Sequence, residues 1–178
     1  MAGATVTARR ARGAHLSPDA RSGGSKVEEG YERSLRFLAF RPRSVAEVRG
    51  KLARAGYDSG VVEAVILRLK GERLLDDQQF AAYWVEQRQT FHPRGVRALR
   101  AELRQKGLDA SCVSEALAPC MAEEDDAAYR AGLRQARHLR SEEEPGFARA
   151  LSTYLARRGF GWSAIRSSLP RLWEARAG

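Results

Sequence analysis

The chemistry this sequence is best equipped for is the capture of anions. Arg94, Arg97, Arg100 and Arg104 recur at spacings that place them within roughly a 120° arc of a helix, opposite Val96, Leu99 and Leu103 at about 100° per residue. Arg43, Lys51 and Arg54 gather similarly on the side away from Val48 and Leu52, and Arg157 and Arg158 sit together before Gly159. Lys106 and Arg158 directly border glycine turns, where backbone N–H groups can also meet an anion. Two readings stand beside each other. Such stripes are either ordinary solvated helix faces, with arginine chosen for helix propensity, or contact surfaces for phosphate or an acidic partner. The stripe from Arg94 to Arg104 ranks first as a contact surface.

Other chemistries find less support. Asp76 and Asp77, with the acidic runs at 123–126 and 142–144, raise the idea of carboxylates holding a divalent metal for nuclease work. An N-cap role accounts for Asp76, and Asp77 in the first helical turn complements the helix dipole. His15, His92 and His138 have no Ser, Cys or Asp at a spacing that makes a triad. Cys112 falls on a semi-apolar position, which predicts a packed thiol rather than a nucleophile. The Gly24-Ser25-Lys26 stretch lacks the spacing of a phosphate-binding loop. The expectation is a protein that is not an enzyme and uses no metal or cofactor.

Composition sets the frame for these residues. The chain has 178 residues, 31 Lys and Arg against 22 Asp and Glu, and a formal net charge of +9. A basic excess of this size predicts a polyanionic partner, because Lys and Arg gain by releasing phosphate counterions. With 43% hydrophobic residues the chain can bury a core. No apolar run approaches the roughly 20 residues of a membrane span, and the N-terminus carries no apolar segment of a secretory signal. Two cysteines, Cys112 and Cys120, make no disulfide framework. A cytoplasmic monomer is expected.

Residues 1–28 are rich in Ala, Arg, Gly and Ser and read as a disordered basic arm. From Glu29 onward apolar residues fall at helical spacing, which predicts an all-α fold. Three segments align without gaps around Gly56, Gly107 and Gly159, which lie 51 and 52 residues apart. Val48, Leu99 and Leu151 stand eight before each glycine, and Leu52, Leu103 and Leu155 four before. Tyr57, Leu108 and Phe160 follow directly, with Val62, Val113 and Ile165 five further on. Each glycine predicts a left-handed residue ending one helix, and Asp58, Asp109 and Gly161 become N-caps of the next, with a hydrophobic staple at each. Ser44 with Glu47, and Asp76 with Gln79, have capping-box spacing, and Leu75 with Phe80 makes another staple pair. A further helix precedes each pair, at about 29–40, 77–89 and 124–139. The predicted architecture is three tandem three-helix repeats, 29–73, 74–121 and 122–178, in an elongated, curved row after the arm. Tyr57, Phe160, Trp84 and Tyr129 take core positions in this scheme, whereas Trp162 is free to be exposed.

Three stretches resemble the RecX regulatory proteins: RSVAEVRGKLARAGYD (Arg43 to Asp58), LLDDQQFAAYWVEQR with the following GVRALRAELRQKGLD (Leu74 to Asp109), and YLARRGFGWSAIRSSL (Tyr154 to Leu169). The Leu-Asp-Asp step into a helix containing Phe80, and the Arg-Arg-Gly-Phe at 157–160, are the specific marks. The third repeat departs most, with Glu142 to Glu144 and Pro145 in its middle. The resemblance implies a regulator, usually an inhibitor, of the RecA recombinase. Such a protein lies along the groove of the RecA–DNA filament, blocking its extension and suppressing ATP hydrolysis and strand exchange. The alternative from the residues themselves is a helix-turn-helix-like module that acts directly on DNA.

Overall fold

The computed structural model describes residues 18–139 and 143–176, and among these the regular structure is entirely helical. The helices are α1 (Pro18–Leu38), α2 (Val45–Arg54), α3 (Ser59–Gly71), α4 (Asp77–Phe91), α5 (Val96–Gln105), α6 (Ala110–Ala122), α7 (Glu124–His138), α8 (Glu144–Arg157) and α9 (Trp162–Ala175). Each successive trio closes on its own core. Leu52, Leu103 and Leu155, all 0% exposed, sit at the same place in the three cores. Truncating any of them to alanine costs about 2–5 kcal/mol of transfer and cavity energy. The expected architecture of tandem three-helix units is therefore present.

One boundary differs from the sequence reading. The expected arm divides: residues 1–17 lie outside the described residues, but α1 already runs from Pro18. From Val27 onward the helix is tied down by tertiary contacts that periodicity does not reveal. Val27 packs against the first core, and Glu28 accepts a 2.7 Å hydrogen bond from Arg68 of α3.

The middle and last helix of each unit meet at a Schellman turn. Gly56, Gly107 and Gly159 have φ of 89°, 83° and 85°, a conformation that side chains with a Cβ resist. In each turn the glycine N–H returns to the carbonyl three residues back, and the next N–H returns to the leucine five back, as in Phe160 to Leu155 at 3.3 Å. The N-caps follow as expected. Asp58 and Asp109 accept from Val61 and Cys112 at 3.0 and 2.8 Å, and Ser44 with Glu47 forms a reciprocal capping box. A fourth turn of the same type closes α3, where Leu74 N–H returns to Leu69 and Arg73, not glycine, holds φ 59°.

The units are joined by a device that appears twice. The glycine turn of one unit docks on the N-terminus of the middle helix of the unit before it. Ser44 Oγ donates to Lys106 O at 2.7 Å at the first joint, and Gly95 N donates to Arg158 O at 3.0 Å at the second. A carboxylate from the leading helix of the following unit then caps the same N-terminus. Asp77 Oδ1 accepts from Val45 N at 2.8 Å, and Glu124 Oε1 accepts from Val96 N at 3.0 Å. Burial pushes the Asp77 carboxyl upward, partly offset by this backbone bond. Asp77 thus serves α2 in the neighbouring unit as well as the dipole of α4. The second joint is the tighter one: a Cβ on Gly95 would lie 2.2 Å from the Gly159 carbonyl, so only glycine fits. Among the described residues, hydrogen bonds between units join only the first to the second and the second to the third.

The third unit, which departs most from the repeat pattern, packs its outer helices through small residues. Ala128, Ala131 and Gly132 of α7 are buried against α9, and a Cβ on Gly132 would come within 2.6 Å of Leu172. Phe147 adds an edge contact to Trp173 at 5.1 Å between ring centroids.

Two outcomes test this account. Gly56 has open space where a Cβ would go, whereas a Cβ on Gly159 would sit 2.4 Å from that of Ala98. Gly56→Ala should cost about 1–2 kcal/mol from backbone strain alone, and Gly159→Ala at least about twice as much. Equal losses in urea unfolding would refute a load across the second joint. The first joint carries its own pH signature. Burial of Glu47 opposes its charge, but hydrogen bonds from Lys106, the Ser44 N–H and Arg41 prevail and hold the carboxyl below its usual range. A carboxyl held low stabilises the fold above the ordinary range near pH 4.3, and that contribution fades as pH falls through its folded value. Glu47→Gln should lose about 1–2 kcal/mol at neutral pH, with the gap to the parent closing under acid. A gap that persists in acid denaturation curves would contradict it.

Candidate functional site

The cations singled out by spacing fall into two groups once they are placed. The first group belongs to the joints. Lys106 Nζ donates to Glu47 Oε1 at 2.9 Å and stands 4.9 Å from the Trp84 ring. Arg158 Nε donates to Pro93 O at 3.3 Å while Nη1 donates to Tyr154 Oη at 2.9 Å. Arg97 Nη2 reaches Ala156 O across the second joint at 3.1 Å.

Arg94 also leaves the proposed stripe. It precedes Gly95, the N-cap of α5, and so lies off the helix. Its Nε is buried with no hydrogen-bond partner, 3.6 Å from Glu102. That carboxylate already accepts from Trp84 Nε1 at 2.9 Å and Arg88 Nε at 2.7 Å. Arg43 occupies the matching place before Ser44. Its Nε donates to Phe37 O at 3.4 Å and its guanidinium lies 3.9 Å over the Phe37 ring. Burial, then the nearby Arg41, lowers its pKa, partly countered by Glu47.

The second group is unpaired. Lys51 and Arg54 on α2, Arg100 and Arg104 on α5, and Arg157 at the end of α8 make no ion pair among the described residues. Arg54, Arg104 and Arg157 are exposed. Every middle helix therefore offers at least one free cation. A concavity of about 430 Å³ links the first set to the joint, lined by Phe37, Arg43, Glu47, Arg54 and Lys106 among others.

The leading helix adds residues the sequence reading passed over. Arg33, Arg36, Phe37 and Phe40, with Lys51, line a second concavity of about 370 Å³. Phe40 is 86% exposed beside these cations. The signal is present in the sequence, since positions 33, 36, 37 and 40 share one helical face.

Asp76 and Cys112 have structural places in the fold. Asp76 Oδ1 accepts from the N–H groups of Gln78 and Gln79 at 2.8 and 3.2 Å, as an N-cap does. Cys112 is buried, with its thiol pKa pushed up by that burial. Among the described residues no group of three or more His, Cys, Asp or Glu side chains converges as metal ligands would. No described helix is long and apolar enough to cross a membrane. His15 and the basic residues of the first 17 positions lie outside the described residues. Trp162 is 65% exposed, whereas Phe160 is buried and Tyr57, Trp84 and Tyr129 are partly buried against the cores.

Comparison with known proteins fits this geometry. Residues 31–69 match the RecX first three-helix domain and residues 76–117 the RecX second three-helix domain. Regulatory protein RecX of Mycobacterium sp. (strain KMS) is 40% identical over 151 residues, covering 82% of each chain. That of Chlorobium limicola is 34% identical over 144 residues, covering 79% of this chain and 87% of its own. A crystal structure of regulatory protein RecX superposes with a TM-score of 0.75 at 25% identity, over 88% of this chain and 79% of the other. The RecX of Lactobacillus salivarius shares the fold, with a TM-score of 0.73 at 20% identity over 84% and 97% of the two chains. Repeats, capping devices and sequence identity converge, and the chain belongs to the RecX family of regulatory proteins.

Proposed function

We propose that this protein binds RecA nucleoprotein filaments and inhibits RecA, suppressing ATP hydrolysis, strand exchange and filament extension, as a monomer in the cytoplasm. The observation that carries this reading is the row of like units whose middle helices each leave cations unpaired. A filament presents the same anionic surface at regular intervals, and several weak contacts on one rigid row add through effective concentration. Lys51, Arg54, Arg100, Arg104 and Arg157 make those contacts in this proposal, while Arg97, Lys106 and Arg158 bond across the joints.

The helix-turn-helix alternative places the helix after each glycine turn in a DNA groove. That helix in the second unit, α6, carries no Lys or Arg at all, and those of α3 come only in its last turn. Its charge suits a core element better than a recognition helix.

Titration into preassembled RecA filaments, read by single-stranded-DNA-dependent ATP hydrolysis, tests the reading. Inhibition well below the RecA concentration supports it. No inhibition, together with tight and steeply salt-dependent binding to naked DNA, would favour the alternative. Reversing Arg100 and Arg104 to Glu should leave helicity and Tm close to the parent and weaken filament binding by about tenfold or more. Unchanged binding would remove α5 from the contact surface.

A further inference from the structure

A concavity of about 710 Å³ is a groove where the first two units meet. Leu35, Leu38, Leu74 and Phe80 contribute its apolar lining, with Phe40 and Tyr83 also facing it. Phe40 and Leu74 are exposed large apolar residues, and apolar side chains left exposed around a groove mark a place where another surface lands. Arginines complete the lining: Arg41, Arg43 and Arg73 face it against a single acid, Asp76, whose carboxylate is committed to capping α4. The groove is thus apolar within and positive around.

Arg73 is the informative member. It is the sole non-glycine with positive φ among the described residues, and it fills the place that glycine fills in the other three Schellman turns. Glycine would relieve the strain, so the local backbone gives no reason for an arginine there. Nor does pairing: Arg73 makes no side-chain hydrogen bond or ion pair among the described residues, and neighbouring Glu72 is taken by Tyr31 and Arg68. A strained position occupied by a side chain that makes no hydrogen bond or ion pair among the described residues points to a contact outside the fold.

We propose that this groove binds a peptide segment of a partner protein in which aliphatic or aromatic side chains are flanked by carboxylates, with Arg73 gripping a carboxylate. Leu35, Leu38 and Leu74 offer apolar surface that aliphatic side chains of a peptide can pack against, and the arginine rim selects acidic flanks. The proposal does not depend on RecA being the partner.

The test pans a displayed library of random peptides of about 12 residues against the full chain, then measures binding of the selected peptides by fluorescence anisotropy. Selected peptides should combine Asp or Glu with Leu, Ile or Phe. Arg73→Gly should weaken them by about tenfold or more with Tm unchanged or raised, Arg73→Lys should retain part of the affinity, and Phe40→Ser should weaken them as well. The opposite directions of stability and binding separate this role from a structural one. A fall in Tm for Arg73→Gly would show that the side chain serves the fold and would overturn the proposal. So would a selection without acidic-apolar peptides, or peptides indifferent to Arg73→Gly. Loss of oligo-dT binding in these variants without any selected peptide would assign the groove to single-stranded nucleic acid instead.

Discussion

A helix begins with N–H groups that its own backbone cannot satisfy, and in this protein the middle helices meet that need with atoms from the next unit. The helices concerned, α2 and α5, are only 10 residues long and marginal by themselves. Each takes a carboxylate from the leading helix of the following unit and presses its N-terminus against the carbonyl end of that unit's middle helix. Opposite ends of two helix dipoles thereby meet, so the orphan donors of one and the orphan acceptors of the other are satisfied together. This single geometry sets how each unit follows the one before.

The joints also decide which cations are available. A basic composition says only that the molecule attracts anions; it does not say which side chains are already engaged. Lys106 and Arg158 occupy the same place in successive units and bind inward, each to the unit before its own. Arg100 and Arg104, on the same helix as Arg97, have no such duty. A functional surface on this fold is what remains after assembly has taken its share.

The split explains how much the sequence could disclose. Glycines ending helices, aspartates beginning them and leucines filling the cores act within a few residues of themselves, so their spacing revealed the repeat, the caps and most helix limits. The roles of Asp77 and Glu124 depend on partners 32 and 28 residues away, and nothing local distinguishes such a carboxylate from an ordinary first-turn acid. Arg94 fitted the periodicity of α5, yet the helix starts two residues later because Gly95 is the N-cap. Arg73 was invisible for the opposite reason: a left-handed turn announces itself through glycine, and this one carries none.

The directionality of the joints bears on how the chain is made. On a ribosome the first unit emerges with the N-terminus of α2 uncapped except by Ser44 and Glu47, and it waits for Asp77 and then for the turn at Gly107 before its contacts are complete. The second unit waits in turn for Glu124 and Gly159. The first two units are therefore each secured by one not yet synthesised, and full stability travels backward along a chain that grows forward.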